Sequence, residues 1–252
     1  MLKKILLITF ISVFSFANNF ELSGTIISDN EKVITSRYMG YVTGVYASEG
    51  SFVKKGSILY EIDSSTLDSK KQEALLTLQI QKNHYNNVLI NYNRYKRLYK
   101  QDLVSKYDVE QLELNLRNIE NMIAIAQAKL KEVKTLYDYL KVKAPNDGLI
   151  IKKTIKVGEM AMPSVPAIIL SDLTSLEIKT DIPESNLNDI KLGQEVDVYI
   201  SSIDLKTKGK IKAIIPNVNS TTHSFILKIS FENKDKKIYP GMYAKININM
   251  KN

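Results

Sequence analysis

The residues that could do chemistry in this 252-residue chain are few, and they do not assemble into a catalytic set. His84 and His223 are its only histidines. His84 sits among polar residues of a helical stretch and reads as solvated surface, and His223 lies in a Thr-rich turn before a strand. No nucleophile has a base at useful spacing, no Gly-rich loop could cradle a phosphate, and no His/carboxylate set has the spacing of metal ligands. Cysteine is absent, which removes thiolate metal sites, disulfides and lipid attachment through a lipoprotein cysteine. Met160 and Met162 are two apart, and on a strand such positions face one way. They could offer two thioethers to a soft metal ion, with Met39 further back in the chain; packing is the commoner use of methionine. The remaining group is Arg94, Leu98 and Ser105, within RYKRLYKQDLVS. Arg94 and Leu98 are one helical turn apart and share a face. Ser105 opens a returning helix across a break in the pattern, so the three can converge at a turn. A guanidinium donor, an apolar side chain and a small hydroxyl are tools of recognition, and the expectation is a protein that is not an enzyme.

The elements that must position these groups are legible in the hydrophobic period. From Ser65 there is no Gly or Pro until Pro145, room for two helices of roughly 35 residues, each about 50 Å long. In the second, Val109, Leu112, Leu116, Ile119, Ile123, Ala126, Leu130, Val133, Tyr137 and Leu140 alternate steps of three and four, a coiled-coil seam. In the first, Leu78, Tyr85, Tyr92 and Tyr99 stand seven apart with Leu75 and Leu89 between them, while Lys82 and Lys96 interrupt. Ser65 with Asp68, and Ser105 with Asp108, carry the spacing of helix-capping pairs. Two such helices joined by a few residues fold back as an antiparallel hairpin. Its turn is basic, with Arg94, Lys96, Arg97, Lys100 and Lys106. Cations near the first helix's C-terminus suit the helix dipole.

Strand-like segments flank the hairpin. VITSRYMGYVTGVYASEGSFVKKGSILYEID before it is echoed by VKAPNDGLIIKKTIKVGEMAMPSVPAIILSD after it. Gly40 precedes Gly50 as Gly148 precedes Gly158, and Val53 follows the first pair as Ala161 follows the second. Each half alone buries too little to be stable, so the two predict one β domain interrupted by the hairpin. SLEIKTDI, EVDVYISS, KGKIKAII, SFILKISF and MYAKININ then read as strands of a small closed barrel. PESNLNDI reads as a short helical turn starting at Pro183. FELSGTIIS near the N-terminus could add a strand to the barrel.

The chain starts MLKKILLITFISVFSFANN, with Lys3 and Lys4 ahead of an apolar run and small residues at Ser15 and Ala17: a secretory signal peptide cut after Ala17. The apolar run is shorter than the ~20 residues of a membrane span. Export without disulfides fits a bacterial periplasm. That setting argues against nucleic acid as the partner of a chain of formal charge +8.

These segments together resemble the periplasmic adaptors, or membrane fusion proteins, of tripartite efflux pumps. GYVTGVYASEGSFVKKGSILYEID is similar to the first half of the family's lipoyl-like domain, and VKAPNDGLI to the start of its second half. IPESNLNDIKLGQEVDV, STTHSFILKISFEN and YPGMYAKI are similar to its barrel segments. The resemblance implies an elongated, multi-domain α+β protein: a lipoyl-like barrel-sandwich hybrid in two halves, 33–63 and 142–172, interrupted by a coiled-coil hairpin, 64–141. A β-barrel, 173–252, follows, with residues 18–32 as an N-terminal strand and 1–17 as the signal peptide. The family's membrane-proximal domain normally follows the barrel; the chain stops after MYAKININ, so the expectation is a form without it. No Lys lies in a lipoyl or biotin attachment context, so no cofactor is expected. The partners implied are an inner-membrane transporter of the resistance-nodulation-division (RND) type and a TolC-like outer-membrane channel, with rings of six copies. Arg94, Leu98 and Ser105 match the tip motif by which such adaptors dock end-on to the channel. Service to an ATP-driven exporter, or to copper or silver export, is the alternative.

Overall fold

The computed structural model describes residues 19–216, 223–233 and 238–249; the expected signal peptide lies outside them. Along the chain, β1 is Asn19–Ser28, β2 Glu31–Ile34, β3 Gly40–Val45, β4 Phe52–Val53 and β5 Ile58–Ile62. Two helices follow, α1 Ser65–Tyr99 and α2 Lys106–Leu140. Then come β6 Lys141–Lys143, β7 Gly148–Lys153, β8 Met160–Ala161, β9 Ile168–Ser171 and β10 Leu176–Pro183. The last strands are β11 Glu195–Ile200, β12 Leu205–Pro216, β13 Ser224–Phe231 and β14 Tyr243–Asn249. The chain divides into two compact units, Lys32–Leu170 and a second made of Met1–Glu31 with Ser171–Asn252.

In the first unit the two sequence halves interlock. One sheet has the order β2-β9-β7-β4 and the other β6-β5-β3-β8, so each draws strands from both sides of the hairpin. Phe52 pairs with Leu149 and Gly40 with Ala161. The echo in the sequence becomes an echo in the bonding. The Gly50 N–H donates to the Ile150 carbonyl, and its counterpart Gly158 donates to the Val42 carbonyl, at 2.8 and 2.9 Å. Both glycines hold positive φ, +79° and +86°, in turns that a side chain would strain. Leu59, Tyr60, Ile150, Ile168 and Leu170 fill the space between the sheets, and Leu67 and Leu140 carry that core into the base of the hairpin.

The hairpin itself is held by one seam. All ten α2 positions picked out by their spacing are buried or half-buried. On α1 the register differs from expectation. Tyr85 and Tyr92 do lie in the seam, but the positions that alternate with the heptad-spaced set are Ala74, Gln81 and Val88 rather than Leu75 and Leu89. Leu75 is exposed and Leu89 half-buried at the seam's edge. Lys82 and Lys96 are therefore outside the seam and do not interrupt it. The start of α1 also differs: Ser65 is its first residue, not its cap. Asp63 accepts from the Ser65 backbone N–H at 2.8 Å and from the Ser65 hydroxyl.

The second unit is a closed barrel in the order β1-β10-β13-β12-β11-β14. β1 completes it, pairing with β10 on one side and β14 on the other. Alternate residues point inward, and Leu22, Ile26, Ile178, Ile229 and Ile246 are among those forming the core. The 3-10 turn Glu184–Asp189 follows Pro183 as its spacing suggested. Outside the barrel, Glu177 on β10 is buried under Lys212 and Lys228, which also bind Asp29 just after β1. The hydrogen bond from Lys228 and its charge hold the Asp29 carboxyl below the usual carboxylate range.

Candidate docking site at the hairpin tip

The turn between the helices is short and tightly bonded. The Leu98 carbonyl accepts from the N–H groups of Gln101 and Leu103, at 3.0 and 3.1 Å. The Tyr99 carbonyl accepts from Asp102, which takes the left-handed conformation at φ 55°. Asp residues tolerate that region better than most because their short side chains bond locally. On the far side, Ser105 caps α2 in a full reciprocal box. Its hydroxyl accepts from the Asp108 N–H at 3.2 Å, while the Asp108 carboxylate accepts from the Ser105 N–H at 3.1 Å and its hydroxyl at 2.5 Å. The turn is thus anchored at both ends.

Arg94 is exposed on the last turns of α1, Leu98 is half-buried at its end, and Ser105 is exposed at the start of α2. All three lie within the last turns of one antiparallel pair, around the connecting loop. Leu98 has a second role that its type does not advertise, since its carbonyl organises the loop. The basic character of the tip is partly spent within the hairpin. Lys106 binds Glu110 at 2.9 Å, which raises its pKa, and Lys96 lies over the Tyr92 ring. Among the described residues Arg94, Arg97 and Lys100 make no ion pair. Two apolar side chains at the tip have no counterpart in the motif: Leu103, 66% exposed, and Tyr107, 67% exposed. Exposure is invisible to pattern reading, and Leu103 could have been found only by noticing the aliphatic pair Leu103 and Val104 inside a polar turn.

At the opposite end, Asp68 ties the hairpin's base together by accepting from the hydroxyls of Tyr137 and Ser64, at 2.5 and 2.8 Å. The Tyr137 bond, then that of Ser64, lowers the Asp68 pKa; desolvation and then Asp68 itself push the Tyr137 phenol up to about 12. Midway, Tyr85 donates to Glu120 at 3.2 Å.

The other chemistry-bearing residues are scattered. His84 and His223 are exposed, and His223 is 3.9 Å from Glu184. Among the described residues no three His, Cys, Asp or Glu side chains gather as metal ligands. The methionines do gather along the backbone. Tyr41 pairs with Met160 and Gly40 with Ala161, Met39 and Met162 lie one residue beyond the two strands, and all three methionines are exposed.

A family model described as the CzcB-like, barrel-sandwich hybrid domain matches residues 30–172, the interlocked sheets and the hairpin together. The chain belongs to the CzcB-like membrane fusion proteins, the RND-type periplasmic adaptors. The model of the CusB-like, beta-barrel domain matches this adaptor over residues 177–252. A multidrug resistance protein MdtA of Photorhabdus laumondii subsp. laumondii is 25% identical over 234 residues, covering 89% of this chain and 58% of the relative. The cobalt-zinc-cadmium resistance protein CzcB of Cupriavidus metallidurans is 23% identical over 225 residues, 87% of this chain and 42% of its own length. The adaptor therefore spans about half the length of these curated relatives. In fold it is similar to the membrane fusion protein Spr0693 from Streptococcus pneumoniae R6, with TM-score 0.74 at 20% identity, covering 92% of this chain and all of the other. No helix among the described residues is long and apolar enough to cross a membrane.

Proposed function

We propose that this adaptor stands in the periplasm, delivered by a cleaved signal peptide, and joins an inner-membrane exporter of the RND type to a TolC-like outer-membrane channel. The cargo is drugs or other toxic compounds, and copies gather as a ring of six. The channel docks on the hairpin tip, with Arg94 donating to its carbonyls or carboxylates, Leu98 giving an apolar contact and Ser105 allowing close approach. The observation that carries this reading is the doubly anchored turn at the end of two 35-residue helices. A preformed tip loses little conformational entropy on docking. The exporter is met by the barrel strands, with β1 among them. Cross-linking the full chain in cells and sequencing the linked peptides tests both ends. The expected result is an RND exporter on the barrel and a channel on the tip. Exporter links confined to the tip, or recovery of an ATP-driven exporter, overturn it.

A second reading, handling of a soft metal cargo, is favoured by three exposed methionines, Met160 on β8 with Met39 and Met162 just beyond the ends of β3 and β8. Thioethers select soft monovalent ions over zinc or cobalt. On this reading, Cu(I) titrated against a competing chelator binds one ion per chain, and replacing the three methionines by leucine removes it. No binding by the native chain removes the reading.

A further inference from the structure

The outer face of the sheet β6-β5-β3-β8 carries groups that docking at the tip does not use. The register of β3 against β5 shifts between Val42 and Gly44, so Thr43 is the extra residue of a bulge. Bulges bend a strand and re-aim its side chains. Just past this one, Tyr46 folds back over Gly44: a Cβ at Gly44 would stand 2.8 Å from the Tyr46 Oη and 3.1 Å from its Cζ. Only glycine leaves room for the ring there. The Tyr46 hydroxyl donates to one Glu61 oxygen at 3.0 Å, and Lys141 binds the other at 3.2 Å. Tyr46 is pinned by the strand and by this bond, and is still 62% exposed. Tyr41 is 60% exposed on β3, two residues before Thr43. A ring held in place and left in water is a platform on which docking orders little.

Beside this platform a pocket of about 270 Å³ opens at the base of the hairpin, with Thr43, Glu61, Asp63, Ser64, Tyr137 and Lys141 in its lining. That is the space of about nine waters, which a sugar ring fills. Its polar groups have bonding capacity left. Each Glu61 oxygen has one partner, and a carboxylate has room for about four. One Asp63 oxygen takes both Ser65 bonds, and the other takes none among the described residues. The Ser64 and Tyr137 hydroxyls donate to Asp68 and keep their lone pairs. The Tyr46 bond, then that of Lys141, holds the Glu61 carboxyl below the usual carboxylate range, so it is an ionised acceptor. The Glu61–Lys141 pair sets an acceptor beside a donor, the complement of a secondary amide. Two carboxylates against one ammonium disfavour a phosphate or another anion.

We propose that this pocket and the Tyr46 ring bind an N-acetylated amino sugar of the cell-wall glycan. The apolar C–H face of the sugar lies on Tyr46. Its acetamido N–H donates to Glu61, and its acetamido carbonyl accepts from Lys141. Asp63 accepts from sugar hydroxyls, and Tyr41 offers a second ring to a neighbouring sugar of the same glycan strand. A docked protein would want a dry apolar centre, whereas Thr43 and the Glu61–Lys141 pair share this face with the two rings. The wall as source rests on the adaptor reading, because a protein that joins the two membranes must pass the wall. The sugar site itself is carried by the residues.

The test uses the full chain and two soluble tetrasaccharides of the same linkage, chitotetraose with acetamido groups and cellotetraose without, followed by saturation-transfer NMR. Chitotetraose should bind, and cellotetraose should bind weaker by about tenfold or more. Tyr46→Ala and Glu61→Leu should each weaken chitotetraose by about tenfold. Tyr46→Phe keeps the ring and should retain most of the binding. Helical content and melting should stay near native in all three, because both side chains lie on the outer face. Purified wall sacculi should sediment the native chain but not Tyr46→Ala, and chitotetraose should release it. No binding of chitotetraose, equal binding of the two sugars, or failure to sediment with sacculi overturns the proposal. So does sedimentation that neither Tyr46→Ala nor chitotetraose reduces. If Tyr46→Ala binds chitotetraose normally but loses the exporter or the channel, the face is a protein interface and the sugar site is overturned. A native chain that binds chitotetraose but recovers no exporter keeps the site and overturns the adaptor reading instead.

Discussion

Arg94→Asp should abolish capture of the outer-membrane channel and reduce export to the level of cells lacking the protein, while secretion and melting stay near native. Arg94 is exposed and makes no ion pair within the described residues, so its loss leaves the fold intact. A charge-assisted hydrogen bond across an interface contributes about 1.5–3 kcal/mol, and reversing the charge adds repulsion from the same partner. An affinity loss of about 30-fold or more is expected. Leu98→Ser should act in the same direction through lost apolar contact. The loop should survive that change, because Leu98 organises it through a backbone carbonyl that serine also has. Ser105→Arg needs a control, since losing the capping hydroxyl costs about 1 kcal/mol by itself. Ser105→Asp preserves a cap and places a charge on the docking face. If it fails in export while melting normally, the serine acts at the interface; if it exports fully while Ser105→Arg fails by unfolding, the serine is only a cap. Full export by all three disruptive variants at normal protein levels would end the docking assignment.

Ile119→Asp is the substitution expected to hurt the hairpin most. Ile119 is 2% exposed and packs with Val88 and Leu116 at the centre of the upper seam. Truncating a buried aliphatic residue costs ~2–5 kcal/mol. A two-helix seam with solvent on both sides should fall near the lower end. A carboxylate there adds its desolvation, for which the described neighbours provide no cation, so about 4 kcal/mol is expected. Helical ellipticity should fall and the melt should acquire an early phase. Exposed Ile125→Asp should leave melting unchanged in the monomer. An unaltered helical signal for Ile119→Asp would mean that the seam does not hold the helices together.

The α2 seam was legible because ten apolar positions in unbroken three–four steps admit one register. The α1 seam was not, because that helix offers two adjacent candidates at each level, such as Ala74 beside Leu75 and Val88 beside Leu89. Hydrophobicity favours the larger residue. Geometry favours the one that faces α2, which in both cases is the smaller residue: Ala74 and Val88 are buried while Leu75 is exposed and Leu89 only half-buried. The cap of α1 was misread for a similar reason: Asp63, Ser64 and Ser65 are all capable residues in a row, and only the backbone decides which one precedes the helix. The two-halves architecture was readable from its glycines, which recur because the same positive-φ turn occurs twice. Which strand pairs with which was not readable, since short strands such as Phe52–Val53 and Met160–Ala161 carry almost no pattern. At the tip, residue types and spacing suggested a convergence around the turn, but not that Leu98's backbone would build the loop or that Leu103 would protrude from it.

The barrel's closure has a consequence for how the chain matures. β1 and β14 lie edge to edge with Asn19 opposite Asn249, so the wall of the barrel is completed by strands from the two ends of the described sequence. Contacts between residues so distant in sequence form slowly, while the hairpin's contacts bridge only a short turn and can form early. The growing chain should therefore acquire its helices long before its barrel. Until the last strand arrives, β1 and β11 keep open edges, and such edges invite pairing with other chains. A chain cut short before Tyr243 would be left in that state for good: helical, with an unzipped barrel, and prone to aggregate.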